Sequence, residues 1–467
     1  MTTATRVQAI RHERSARWAI GLLLAVCLVA RTGFVLIAYR HTLKGAEAHP
    51  WLFVEQDTTG YMIRALDLVQ GRGFMAHPPE SRRTPLYPLI LAGMVRACGL
   101  QHLDVNRLRP ENAGAWLIFR SPLWMPMALL HHALGMLTTL MVFLIARELT
   151  GSVAAAWAGA MALESSPVRL ATDTVMLPYV VMGFWLILCV WTFLRAVRMR
   201  RLGWLAAAGA SLCLATLAQP MPLYLWPGFL ALILLFWRGQ RLALAGLIFC
   251  AAATALPMAW LVRNGWLSGV YRYSMNGDAS LFQLKVPLAL MERDRISFAE
   301  AEERLVAESE RRIARAERRL GRPLNGFEWE RERGAVAVDF IRSHPLSYVS
   351  SMVRGVPGLL FDQAGRRTGV YDRGLMACLL ALAVVAMARF ARLRAPHSIP
   401  REWHSLLLLG GLVGYLTVLT VPALPGYVRF KAVLMPYLCI LAAVGLDQVA
   451  RWRARSAPVT ASAVGRA

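Results

Sequence analysis

The chain alternates long apolar runs with short connections that carry arginine. Runs at about 19–38, 123–146, 152–166, 174–194, 203–218, 222–237, 241–261, 374–390, 404–421 and 430–449 approach or reach the roughly 20 residues that a helix needs to cross a bilayer. The runs at 152–166 and 203–218 are short enough to be tilted, broken or re-entrant. The pattern therefore predicts an all-α polytopic membrane protein, a bundle of about nine to thirteen transmembrane helices.

Orientation follows from the loop charges. The first run, Trp18 to Ala38, is broken only by Arg31 and is preceded by Arg6, Arg11, Arg14 and Arg17, so the N-terminus is expected in the cytoplasm. Its apolar core is too long for a signal peptide and reads as an anchor. Arg147, the group Arg195/Arg198/Arg200/Arg201, Arg238 and Arg241, the group Arg389/Arg392/Arg394/Arg401, and Arg451/Arg453/Arg455 then all fall on the same side. Both termini come out cytoplasmic. Two long segments, about 39–122 and about 262–373, are left outside.

Three parts follow: residues 1–261, a transmembrane module that includes the first outer loop; 262–373, an extracytoplasmic loop region; and 374–467, the last transmembrane helices with a cytoplasmic tail. The first outer loop holds a helical stretch at Tyr61–Gln70, a turn at Gly71-Arg72-Gly73, and an apolar piece at Leu89–Gly99, too short to cross and expected to lie on or dip into the membrane face. In the second, Glu292–Arg333 is dense in Glu and Arg and reads as one exposed helix supported by pairs at i,i+4 spacing.

Composition agrees with this class. In 467 residues, 57% are hydrophobic and 17% charged, with mean hydropathy +0.44, as in polytopic membrane proteins rather than soluble enzymes. The net charge of +24 comes from arginines scattered between apolar runs, with no basic face beside a stacking platform, so no nucleic-acid partner is expected. Six of the seven cysteines, Cys27, Cys189, Cys213, Cys250, Cys378 and Cys439, lie inside apolar runs as small hydrophobes, and no disulfide framework is expected. His131-His132 is an adjacent pair at a helix start rather than a ligand set, and no Cys/His spacing suggests a metal. Gly71 and Gly73 suit a tight turn; no strand precedes them, so they form no nucleotide site.

The chemistry centres on Asp57, an isolated carboxylate just past the first span, in Gln56-Asp57-Thr58-Thr59-Gly60-Tyr61. After it come Tyr61, Ala65, Leu66, Gly71, Gly73 and the run Arg83-Thr84-Pro85-Leu86-Tyr87-Pro88-Leu89. Downstream stand Pro167 through Asp173, Pro257 through Trp260 with Arg263-Asn264, and Tyr427, Arg429 and Pro436. In this order and topology the chain resembles the GT-C membrane glycosyltransferases, in the bacterial branch related to protein O-mannosyltransferases and the lipid A aminoarabinose transferase. It departs from them at Gln219-Pro220, where many relatives have Arg-Pro, and at Asp173, where many have Glu.

The resemblance implies an inverting enzyme that moves a sugar from a polyprenyl-phosphate carrier to an extracytoplasmic glycolipid, glycan or secreted or pilus protein, in the bacterial inner membrane with its site facing outward. Asp57 would be the general base, with a helix N-cap as the plain alternative, and Asp173 a second catalytic acid or a cap of the next helix. Arg83, Arg263, Lys285, Arg429 and Lys431, all expected outside, would hold the donor phosphate; snorkelling to headgroups is their plain alternative. Tyr61, Tyr87, Glu80 and Glu164 are candidates for sugar or acceptor binding, with Glu80 also able to pair with Arg82 or Arg83. No metal or other cofactor is implied. An O-antigen polymerase or ligase, with arginines in a large outer loop, is the neighbouring enzyme class. A transporter would show related halves and midplane polar groups, and neither is visible.

Overall fold

The structure, a computed structural model, describes residues 3–43, 56–75, 82–103, 123–237, 241–361, 366–392, 402–421 and 428–456, and every regular element among them is helical. Six stretches are long and apolar enough to span a bilayer: Ser15–Ile37, Met125–Thr150, Tyr179–Met199, Leu242–Ser268, Gly369–Ala388 and Arg429–Ser456. Each falls on an expected run. Four more expected runs are shorter apolar helices, Val153–Glu164, Leu202–Ala218, Met221–Phe236 and His404–Thr420. The chain is a multi-pass helical membrane protein.

In chain order the first elements are α1 (Thr3–Leu43), α2 (Gln56–Val69), α3 (Leu86–Ala97), α4 (Trp124–Thr150), α5 (Val153–Glu164), α6 (Pro167–Thr174), α7 (Tyr179–Met199), α8 (Leu202–Ala218), α9 (Trp226–Phe236) and α10 (Leu242–Ser268). The piece read as a membrane-face helix is α3, which packs on α2 and α8. Then come α11 (Asn276–Ser280), a π turn at Leu281–Lys285, α12 (Val286–Asp294), α13 (Phe298–Leu320), α14 (Gly326–Ser343) and α15 (Pro345–Phe361). The chain closes with α16 (Arg366–Arg392), α17 (Glu402–Thr420) and α18 (Val428–Ser456).

The last helix is the hub. α18 packs on α4, α5, α6, α16 and α17, and it is the most deeply buried of the six spans. Lipid tails give apolar helices no hydrophobic reason to associate, so close backbone approach has to supply the attraction. A Cβ on Gly159 would stand 2.8 Å from the Cys439 carbonyl oxygen, and one on Gly209 would stand 2.6 Å from that of Phe249. These glycines let α5 seat on α18 and α8 on α10.

Charged side chains gather at each end of the bundle. At one, Glu148 pairs with Arg195 at 3.2 Å and Arg198 at 3.1 Å, Arg451 donates to the Thr150 carbonyl, and Arg200 donates to that of Phe236. These are the arginines that the loop-charge pattern groups together. The opposite end gathers Asp57, Arg83 and Arg429.

The charged segment is not one helix. Gly321 takes a left-handed φ of 67° that ends α13, and Asn325 starts α14 with a capping box: its side chain accepts from the Phe327 and Glu328 amides, and Glu328 accepts from the Asn325 amide. A break that glycine permits and an Asx cap restarts outweighs the unbroken pattern of charge. The i,i+4 pairing expected survives at Glu300–Arg304. Other pairs cross between the two arms: Arg312 meets Glu332 at 3.0 Å and Asp339 at 2.7 Å. Phe282, Val286, Leu290, Ala301, Leu305, Val336 and Ala337 give this region a small core of its own.

Candidate active site

Asp57 lies in the first turn of α2, where a carboxylate suits the positive end of the helix dipole. Its side chain is 49% exposed and stands 3.8 Å from Arg83 Nη2 and 3.4 Å from Arg429 Nη2, the latter two only 18% and 10% exposed. The carboxylate therefore opens to solvent while the cations rise from within the protein. The Thr58 hydroxyl donates to the Met176 carbonyl at 3.3 Å and anchors this turn of α2 to the stretch between α6 and α7.

Arg83 is supported from below. Its guanidinium sits 5.1 Å from the Tyr61 ring centroid, and Tyr61 meets Tyr87 edge-on at 5.1 Å. Tyr87 is fully buried and Tyr61 nearly so. The two tyrosines thus act as a floor for the arginine, with Tyr87 in turn stacked on His131. Tyr61 donates from its hydroxyl to Gln219 at 3.4 Å, which gives the departure at Gln219-Pro220 a partner. A Cβ on Gly60 would collide with the Arg83 guanidinium, so the absent side chain is what lets Arg83 lie across α2.

Arg429 begins the hub helix with Tyr179 and Phe430 against its guanidinium, at 5.7 and 5.4 Å. Lys431, two residues on, does not join it. Positions i and i+2 face different ways on a helix, and the Lys431 ammonium, fully buried, pairs with Asp372, which also accepts from the Ser166 hydroxyl. Lys285 is also elsewhere: it donates to the carbonyls of Leu419 at 2.8 Å and Val418 at 3.4 Å, satisfying the end of α17. Burial lowers its pKa to about 8. Arg263 stacks on Trp260 at 4.4 Å and donates to Asn264 at 3.0 Å. Of the five cations expected at the phosphate, Arg83 and Arg429 are brought to Asp57. Glu80 lies outside the described residues.

Asp173 and Glu164 come together in a second, closed cluster. Arg31 pairs with Glu164 through Nε at 2.7 Å and Nη2 at 2.9 Å, and with Asp173 through Nη1 at 2.7 Å. Arg169 meets Asp173 at 3.2 Å, and the Thr139 hydroxyl donates to Glu164 at 3.0 Å. All four charged groups are at most 3% exposed. Two cations and two anions cancel, which is the condition for holding charge in a low-dielectric interior. Asp173 closes α6 and caps no following helix; α7 is preceded by Pro178. Gly135 leaves the room: a Cβ there would meet Arg31 and Asp173. Arg31, Arg169 and Asp372 are the functional candidates that sequence reasoning passed over, although an arginine inside an apolar run is itself a signal. His132 meets Thr174 at 3.1 Å while His131 meets the Val175 carbonyl at 3.1 Å, so the adjacent histidines diverge. Among the described residues no three His, Cys, Asp or Glu side chains form a metal-holding group.

Residues 113–262 match the protein family described as dolichyl-phosphate-mannose-protein mannosyltransferase. That stretch contains Glu164, Arg169 and Asp173, whereas Asp57, Arg83 and Arg429 lie outside it. No curated protein matches the chain. Two solved structures of ArnT from Cupriavidus metallidurans are similar: the form bound to undecaprenyl phosphate at 16% identity and TM-score 0.37, covering 92% of this chain and 78% of that one, and the apo form at 15% identity and TM-score 0.34, covering 91% and 77%. The family match, with the helical multi-pass architecture, supports the resemblance to GT-C membrane glycosyltransferases.

Proposed function

We propose that the chain is an inverting glycosyltransferase of the bacterial cytoplasmic membrane, facing outward, which passes a sugar from a polyprenyl-phosphate carrier to an extracytoplasmic acceptor with Asp57 as general base. The observation that carries this reading is the half-exposed Asp57 carboxylate between Arg83 and Arg429, at 3.8 and 3.4 Å. As an acceptor hydroxyl forms its bond to the anomeric carbon it must lose a proton, and a carboxylate in reach takes it. The bond from that carbon to the phosphate oxygen breaks on the opposite face, its electron pair leaving with the phosphate. Charge grows there, and two guanidiniums already fixed in place stabilise it without reorganising. A single displacement of this kind inverts the anomeric centre.

Asp173 takes a different part in this reading. With both oxygens engaged by Arg31 and Arg169 and no exposure, it braces α1, α4, α5 and α6 behind the site rather than meeting substrate. Arg263 and Lys285 likewise serve loop and helix-end geometry.

The test is Asp57→Asn, which keeps the shape and deletes the base. Detergent-extracted protein is supplied with mannosyl- and aminoarabinosyl-linked polyprenyl phosphates and envelope lipid and glycan acceptors, and released polyprenyl phosphate is measured. The variant should lose about 10²–10⁴ in turnover with its thermal melting unchanged. Undiminished turnover by the variant would remove Asp57 from the chemistry.

A further inference from the structure

Arg82 and Arg83 are neighbours in a non-helical segment, where adjacent side chains diverge. Arg83 turns to Asp57 and Tyr61. Arg82 turns the other way, to the charged region: its Nε donates to Glu330 Oε1 at 2.9 Å, and its Nη2 reaches the same oxygen. Its backbone is held too, since the Arg82 carbonyl accepts from the Ser274 hydroxyl, which itself accepts from the Asn276 amide at 3.1 Å. One residue is thus gripped by side chain and main chain, both grips coming from the second outer segment.

The gripping side is closely packed. Glu330 is only 4% exposed and sits on α14 one turn before Gly334, where a Cβ would stand 2.5 Å from Asp278 Oδ1, so α14 lies directly on α11. Arg333 on the same helix covers the rings of Phe282 at 4.1 Å and Trp329 at 4.4 Å. The Asn325 side chain donates to the Ser268 carbonyl at 3.0 Å, tying the start of α14 to the end of α10. A cation carried on a loop contributes to a phosphate site only if something holds that loop, and misplacement by about 1 Å is enough to cost about 10²-fold in rate.

We propose that Glu330 is a positioning residue for Arg83, acting through Arg82, so that the charged region forms the outer wall that holds the donor-phosphate grip in place. The inference rests on the reading of Asp57, Arg83 and Arg429 as that grip. Its test uses full-length protein in detergent with two readouts. Hydrogen–deuterium exchange over residues 82–86 reports the strut without any ligand, and undecaprenyl phosphate binding reports the consequence.

Glu330→Gln should speed exchange at 82–86, leave 298–343 as in the parent, and weaken undecaprenyl phosphate binding about tenfold. Ser274→Ala, which cuts the main-chain tether together with the bond from the Asn276 amide and leaves the Arg82–Glu330 pair, should act in the same direction. Arg82→Gln combined with Glu330→Gln should be no worse than the weaker-binding single variant, as expected for two residues that act as one unit. Additive losses would overturn the proposal, as would unchanged exchange at 82–86 or faster exchange spread across 298–343. If the parent protein bound no undecaprenyl phosphate while the exchange effects held, the strut would stand and the donor reading would fall.

Discussion

Replacing Arg31 by methionine tests the buried cluster, because the loss can be worked out contact by contact. The guanidinium makes three charged contacts at 2.7, 2.9 and 2.7 Å, two to Glu164 and one to Asp173. Without it Asp173 keeps Arg169, whereas Glu164 loses its ion pair and keeps neutral partners such as the Thr139 hydroxyl. The site then holds one uncompensated anion, and stripping a buried pair of one partner costs about 3–5 kcal/mol. Removing the stranded charge as well, in Arg31→Met with Glu164→Gln, leaves the balanced Arg169–Asp173 pair and should recover most of that loss. A thiol-reactive dye in a thermal ramp suits the measurement, since Cys27, Cys189, Cys213 and Cys439 are buried and react as the bundle opens. The single variant should melt well below the parent and the double variant between them. Equal melting of single and double variants would refute charge balance as the role of the cluster.

Two further outcomes follow from local geometry. Gly60→Ala pushes the Arg83 guanidinium aside while α2 tolerates alanine well, so steady-state turnover should fall by up to about 10²-fold with melting unchanged; a fully active variant would mean that Arg83 is not needed where it stands. Glu328 is held at about 2, below its ordinary 4.5, chiefly by the bidentate Arg322 pair. A carboxyl with a lowered folded pKa stabilises above its unfolded value and loses that contribution as pH falls from about 4.5 towards 2. Limited proteolysis between α13 and α14 should accelerate over that window, and Glu328→Gln should flatten the dependence.

What the sequence made legible is what the bilayer dictates. Crossing it takes a minimum apolar length, and every run of that kind became a helix; the loop-charge pattern puts Arg195, Arg198 and Arg451 on one side, and they gather at one end of the bundle. Local turn chemistry was readable too: Gly71 and Gly73 take φ of 77° and 71°, as the turn at Gly71-Arg72-Gly73 requires. Partner choice was not, because it depends on which helix faces meet. Arg31 finds Asp173 across 142 positions, and Lys431 parts from Arg429 because a helical step of two turns a side chain to another face. The same geometry explains why, of the five cations expected at the phosphate, two stand beside Asp57. Helix ends and buried acids compete for lysine and arginine, and in a membrane interior an unpaired acid is costly enough to claim one. Asp372 holds Lys431, the end of α17 holds Lys285, and Trp260 with Asn264 holds Arg263, while Glu164 with Asp173 claims Arg31 from inside a span. Arg83 and Arg429 differ in that the acid beside them, Asp57, is half exposed, so water shares its solvation, and in the proposed reaction the carrier phosphate competes for the same cations.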